Sequence, residues 1–263
     1  MSRVDDTTSR GPGSPLTADR ARRASLEELR RHLTSAPSTY LEGAVRNPEL
    51  TPDEMTLLLR NRFASPSLLA RVGQDRQWTR YYEVKRGLVL HPRTPYPVAR
   101  SLAGHLYWRD LAEAIEDARL HPALRRQAEQ ILKERVPEMS LGEQISLARR
   151  ATGRLIAALR GSGDVRVLRA LLGNPRLKEH DAEAVASGEE SPGDVLGWMT
   201  RHPKWGNRRA VRLALVRNAR TPVADALKLV AKLPRRELEQ LATEEEAPKI
   251  VRVGAVRRLE PEA

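Results

Sequence analysis

The stretch Val45-Arg46-Asn47-Pro48-Glu49-Leu50-Thr51-Pro52-Asp53-Glu54 decides how the rest of the chain reads. Proline cannot continue a helix and holds the residue before it out of the helical region, so Asn47-Pro48 marks the end of one helix. Thr51-Pro52-Asp53-Glu54 has the form of a helix start, with a hydroxyl to accept an orphan backbone N–H and proline at the first helical position. These ten residues therefore read as a break between two helices.

The break recurs. LVLHPRTP, LLGNPRLK and LVRNARTP set His91, Asn174 and Asn218 in the place of Asn47, at successive spacings of 44, 83 and 44 residues. The long interval conceals one more unit, at ERVPEMSLGE around Arg135 to Ser140. A fixed period of this length is the mark of a repeat architecture, in which a unit buries its apolar stripe only against its neighbours.

Each unit divides into three helical segments. First segments open at Thr51-Pro52, Thr94-Pro95, Ser140-Leu141-Gly142-Glu143 and Thr221-Pro222, where hydroxyl caps are expected; the fourth unit starts irregularly at Lys178 to Asp181. Second segments carry Leu69/Val72, Leu111/Ile115, Leu155/Leu159, Val195/Met199 and Leu238/Leu241, spaced to share one helix face. Third segments carry Val84/Leu88, Ala128/Leu132, Val167/Leu171 and Val211/Leu215, and the fifth reads Val253/Arg257, losing its apolar member.

Ser25-Leu26-Glu27-Glu28 is a capping box, and Tyr40 to Arg46 resembles a third segment without its preceding two. The expected division is a disordered tail over 1–24, an N-terminal capping half-repeat over 25–46, five repeats over 47–259 and a C-terminal tail over 260–263. No alternating strand pattern persists, so the fold class is all-α.

Composition agrees. The 263 residues are 40% hydrophobic, 30% charged and 4% aromatic, which describes a folded, charge-rich protein with few aromatic side chains. With no cysteine, the chain offers no disulfide, thiolate metal ligand or thiol nucleophile. The amino-terminal residues carry charge where a signal peptide needs an apolar stretch, and no apolar run reaches the length of a membrane span. A cytoplasmic protein without membrane insertion is expected.

Three-helix units of about 44 residues over Asn47 to Leu259 resemble the armadillo and HEAT class of α-solenoids, and the Asn-Pro and Thr-Pro breaks resemble those of leucine-rich repeat variants. The resemblance implies a right-handed superhelix of about five repeats whose last helices line a concave face. The iron–sulfur cluster of some leucine-rich repeat variant proteins has no cysteine ligand here. Some DNA glycosylases are also built from HEAT-like repeats, but no residue pattern of theirs is matched.

The third segments hold 17 basic and 4 acidic residues in 57 positions, against a whole-chain net charge of +12. At 100° per residue, several of these bases point away from the core direction set by Val84 and its equivalents. Lys85, Arg86, Arg126, Lys133, Arg169, Arg208, Arg209, Arg212, Arg217, Arg252 and Arg258 are therefore the expected contacts for a polyanion. Guanidinium groups suit phosphate because their planar fork donates two parallel hydrogen bonds. Trp78, Tyr82 and Trp205 interleave with these bases as candidate stacking residues, although packing explains such aromatics as well.

No phosphate-binding loop, dinucleotide fingerprint, HExxH or GxSxG pattern occurs, so no catalytic residue, metal or cofactor is assigned. His91, His121 and His202 each precede proline, which helix ends explain. The expectation is a non-catalytic binding protein whose basic concave surface holds a DNA or RNA backbone. The alternative is a scaffold for an acidic or extended protein segment, with a glycosylase-like enzyme third.

Overall fold

A computed structural model describes residues 15–260. Among them lie nineteen α-helices, one short 3-10 turn at Val136–Glu138 and no strand. The chain is all-α, and it divides into two compact units, Met1–Ile131 and Leu132–Ala263.

The first unit begins with α1 (Ala18–Arg23), α2 (Leu26–His32) and α3 (Ser38–Ala44). Then come α4 (Pro52–Leu58), α5 (Pro66–Gln74), the single-turn α6 (Arg76–Thr79) and α7 (Tyr82–Leu90). Next are α8 (Tyr96–Ala103), α9 (Trp108–Glu116) and α10 (Pro122–Arg135), the last of which runs through the division. The second unit contains α11 (Leu141–Ala148), α12 (Gly153–Leu159) and α13 (Val165–Leu172). It continues with α14 (Glu179–Ala186), α15 (Gly193–Arg201), α16 (Arg209–Arg217), α17 (Val223–Val230), α18 (Arg235–Thr243) and α19 (Lys249–Leu259).

The recurring contact joins a helix to the one two places on. In the first unit α1 packs on α3, α2 on α4, α5 on α7 and α7 on α9; in the second α11 packs on α13, α13 on α15, α14 on α16, α15 on α17 and α17 on α19. Val84, Leu88, Val167, Leu171, Val211 and Leu215 are fully buried, as their spacing required. Fully burying one such side chain contributes about 1.5–3 kcal/mol, so these short helices are held by packing more than by their own propensity.

The asparagine of each break has a defined task. Asn47 Nδ2 donates to the carbonyls of Ala21 and Ala24, at 2.9 and 2.8 Å, while its Oδ1 accepts the Glu49 N–H at 2.9 Å. Asn174 repeats this with Ala148 and Ala151, both at 2.9 Å, and Asn218 with Ala186 and Gly188, at 2.8 and 3.0 Å. The last carbonyls of a helix have no partner within it, and here a side chain from a later break supplies one. Asn61, between α4 and α5, does the same for Leu33 and Ala36. It escapes the sequence pattern because it lies inside a unit, 14 residues after Asn47, and not at the spacing of the breaks.

Several local expectations need correction. Ser65 does cap α5, and Ser140 with Glu143 closes a capping box on α11. Thr51, however, donates its hydroxyl to Glu54, and Thr221 donates to the Leu215 carbonyl at 2.6 Å. Thr94, expected to cap the helix that follows Pro95, has its hydroxyl buried without a hydrogen-bond partner. Residues 18–23, expected within a tail over 1–24, form α1 with Thr17 as its N-cap. The part of that tail over 1–14 and the residues 261–263 lie outside the described residues. Tyr40 to Arg46 therefore follows two helices, not an open end. Gly43 permits the approach of α1, since a Cβ there would sit 2.0 Å from the Ala18 carbonyl oxygen.

The register of α19 also differs. Val251 and Ala255 form its buried pair, while Val253 is 54% exposed. Val251 lies two residues into its helix, as Val167 and Val211 lie in α13 and α16, so the pair expected at Val253/Arg257 stands two residues too far along the chain.

Candidate functional site

The candidate bases separate into two groups by what their heads touch. Arg86 on α7 donates from Nε to Asp110 at 2.7 Å and from Nη2 to Glu113 at 2.8 Å, both on α9. Arg209 on α16 donates from Nε to Glu237 on α18, and Arg217 closes a forked pair on Glu244 at 2.8 and 3.0 Å. Arg208 lies 3.6 Å from Glu179. Arg212 spends two donors on the carbonyls of Lys232 and Asn207, at 3.2 and 3.4 Å. These five act first as ties within the fold, which corrects the expectation that they stand ready for an external anion.

Lys85, Arg126, Lys133 and Arg169 have no ion pair. Arg126, Lys133 and Arg169 are exposed and Lys85 is half-buried. Arg252 likewise has no ion pair, and its Nε is buried without a hydrogen-bond partner. Arg258 is exposed, but the corrected register of α19 turns its position toward the Val251 side of the helix.

The acids that claim the first group carry a signal that sequence reading missed. Arg30 reaches Glu54 at 2.7 Å, Arg86 reaches Asp110, and Arg201 reaches Asp225 at 2.9 Å, all across 24 residues. Arg209 and Glu237 are 28 apart. Opposite charges at a little over half the repeat length are therefore the trace to follow. Glu54 is fully buried and Glu237 is 2% exposed, so each arginine covers a carboxylate that water barely reaches. Burial alone would push the Glu54 carboxyl up, but hydrogen bonds from Thr51 and Arg30 outweigh it and hold its pKa below the ordinary value.

Two of the three stacking candidates are core residues. Trp205 is 1% exposed and donates its indole N–H to the Leu172 carbonyl at 2.9 Å; Trp78 is 7% exposed. Neither offers a face to a ligand, because filling the gaps between short helices takes their large rings. Tyr82 is half-buried, and its hydroxyl donates to Asp110 while accepting the Tyr107 N–H at 3.0 Å. Burial, followed by the hydrogen bond to Asp110, pushes the phenol up to about 12. Two aromatics do face solvent, Phe63 at 44% and Tyr107 at 66% exposed, and no spacing had singled out either.

Two of the clefts in the second unit are lined by the candidate bases. One, of about 550 Å³, lies along α14 and α16 and is lined by Glu179, Glu183, Arg209, Arg217, Leu213 and Asn218. Its charges are mixed, and Arg209 and Arg217 already have partners. The other, of about 570 Å³, lies along α19 beside Lys249, Arg252, Val253, Val256 and Arg257. Val253 and Val256 are exposed there, and Ile250 is exposed elsewhere on α19.

Among the described residues no group of three or more histidines and carboxylates is placed to hold a metal ion, and no helix is long and apolar enough to cross a membrane. No protein-family model, curated protein or solved structure matches this chain.

Proposed function

We propose that this chain is a right-handed α-solenoid of five three-helix repeats, preceded by a capping segment, and that it works without catalysis as a binding protein for a nucleic acid backbone. Support for the architecture comes from the contact between helices two places apart, and from amide clamps recurring at about one repeat. One observation carries the binding reading: Lys85, Arg126, Lys133 and Arg169 keep cationic heads without a carboxylate in a chain of net charge +12. Phosphates displaced onto such heads release condensed counterions, so binding should weaken steeply as salt rises.

The test is fluorescence anisotropy with labelled single-stranded and duplex oligonucleotides across a salt series. Lys85→Glu combined with Arg126→Glu, both in the first unit, should weaken binding at least about tenfold and flatten the salt dependence. Arg60→Glu with Arg62→Glu should do much less. Equal losses would mean general basicity without a site, and no binding at low salt would end the reading.

A second reading draws on the cleft along α19, where exposed Val253 and Val256 lie among Lys249, Arg252 and Arg257, three cations against the single carboxylate of Glu260. An acidic amphipathic protein segment complements both the apolar and the charged parts of that face. A peptide with leucines on one helical face and glutamates flanking them should bind, and the same peptide with lysines should not.

A further inference from the structure

We propose that Tyr107 is a stacking platform for an unpaired nucleobase, so that the first unit takes single-stranded nucleic acid in preference to duplex. The inference rests on the nucleic-acid reading above and names the form of the polymer and the residue that would select it.

The ring is exposed yet held. Tyr107 is 66% open to solvent, its ring centroid lies 4.4 Å from that of Tyr82, and the two planes are inclined by 36°. Its backbone N–H donates to the Tyr82 hydroxyl at 3.0 Å. That hydroxyl donates to Asp110, which also accepts from Arg86 at 2.7 Å, and Arg86 reaches on to Glu113. A ring fixed through its neighbours loses little conformational freedom when a base stacks on it. The same chain of contacts occupies Asp110 and Glu113, two carboxylates that would otherwise repel a phosphate.

The surroundings have the chemistry of a single strand. Arg80 lies over the Tyr81 ring at 4.6 Å and Arg109 over the Trp108 ring at 5.4 Å. Both guanidiniums are exposed and neither has a carboxylate partner. Lys85, one turn after Tyr82, is another cation without an ion pair. Glu83 is exposed on α7 and opposes this charge, but it stands against three cations. The exposed residues before Tyr107 are Arg100, Ser101, Gly104 and His105, none of them aliphatic, so the setting suits a π face and a phosphate better than an apolar side chain. Duplexes hide their base faces, whereas single strands expose them, and base stacking on an aromatic is tolerant of sequence.

The test uses the full chain with a single-stranded oligothymidylate carrying one 2-aminopurine, and with the same label in a duplex. The expected result is quenching of 2-aminopurine in the single strand, with tighter binding of that strand than of duplex. Tyr107→Ala should weaken single-strand binding about tenfold, Tyr107→Phe should stay within about twofold, and duplex binding should not change. Tyr107→Ala removes the ring contact with Tyr82 but keeps the hydrogen bond, which uses the backbone N–H of residue 107, and an unchanged melting temperature checks that the fold is kept. Salt-sensitive binding with no quenching, or with Tyr107→Ala equal to the parent, would overturn the platform and leave the polyanion reading standing. Loss of all oligonucleotide binding at low salt would overturn both.

Discussion

The His91 ring spans the Asn61 carbonyl and the Arg93 N–H: Nε2 lies 3.1 Å from the carbonyl oxygen, and Nδ1 accepts the N–H at 3.1 Å. A ring thereby does what the amides of Asn47, Asn174 and Asn218 do at the other breaks. The arrangement needs the neutral tautomer with its proton on Nε2, because a protonated Nδ1 could no longer accept.

Burial, against the opposing pull of the Asn61 carbonyl, lowers the His91 pKa below its ordinary value near 6.5. The unfolded chain therefore binds a proton first as pH falls, and His91's contribution to stability is present above that value and lost below it. Urea unfolding at pH 7.5 and 5.5 should show a fall in stability on acidification. His91→Asn, which installs the residue of the sister positions, should make that fall smaller. An identical fall in both proteins would contradict this account.

Removing an amide clamp should cost more than removing an ordinary surface side chain. Asn174→Ala strips partners from the Ala148 and Ala151 carbonyls and from the Arg176 N–H. A loss of about 2–4 kcal/mol in chemical unfolding is expected, since each buried group left unpaired carries its own desolvation penalty. Asn174→His should retain more stability than Asn174→Ala, as His91 already fills such a position.

The two groups of bases should separate cleanly in measurement. Arg209→Ala uncovers Glu237, which is 2% exposed, and should destabilise by about 1–2 kcal/mol after allowance for the solvent around the arginine. Arg169→Ala should change stability by less than about 0.5 kcal/mol, because it breaks no ion pair. If both leave thermal unfolding unchanged, the Arg209–Glu237 tie is ornamental.

The register of α19 is open to a direct check. Val251→Ser should destabilise by about 1–3 kcal/mol, whereas Val253→Ser should be near neutral, because Val251 is 1% exposed and Val253 is 54% exposed. The opposite ranking would restore the Val253/Arg257 pairing expected from the sequence.

What the sequence disclosed was local. Asn47-Pro48 and Thr51-Pro52 locate a helix end and a helix start because proline acts on its immediate neighbours, and Leu155/Leu159 locate a buried face because helix geometry relates residues four apart. What it withheld depends on partners far along the chain. Arg209 reads as an available cation until Glu237 is brought to it across 28 residues, and Trp205 reads as a stacking surface until the Leu172 carbonyl takes its indole N–H. Ala18–Arg23 is too short and polar to announce itself, and becomes a helix through contact with α3 beside Gly43.

Each amide or imidazole joint reaches back only 23 to 32 residues. No single knot therefore bears the whole load when the ends are pulled apart. Under tension the joints within a unit are strained one after another, like stitches in a seam, and a force–extension trace should rise and fall in a series of small steps instead of one large rupture.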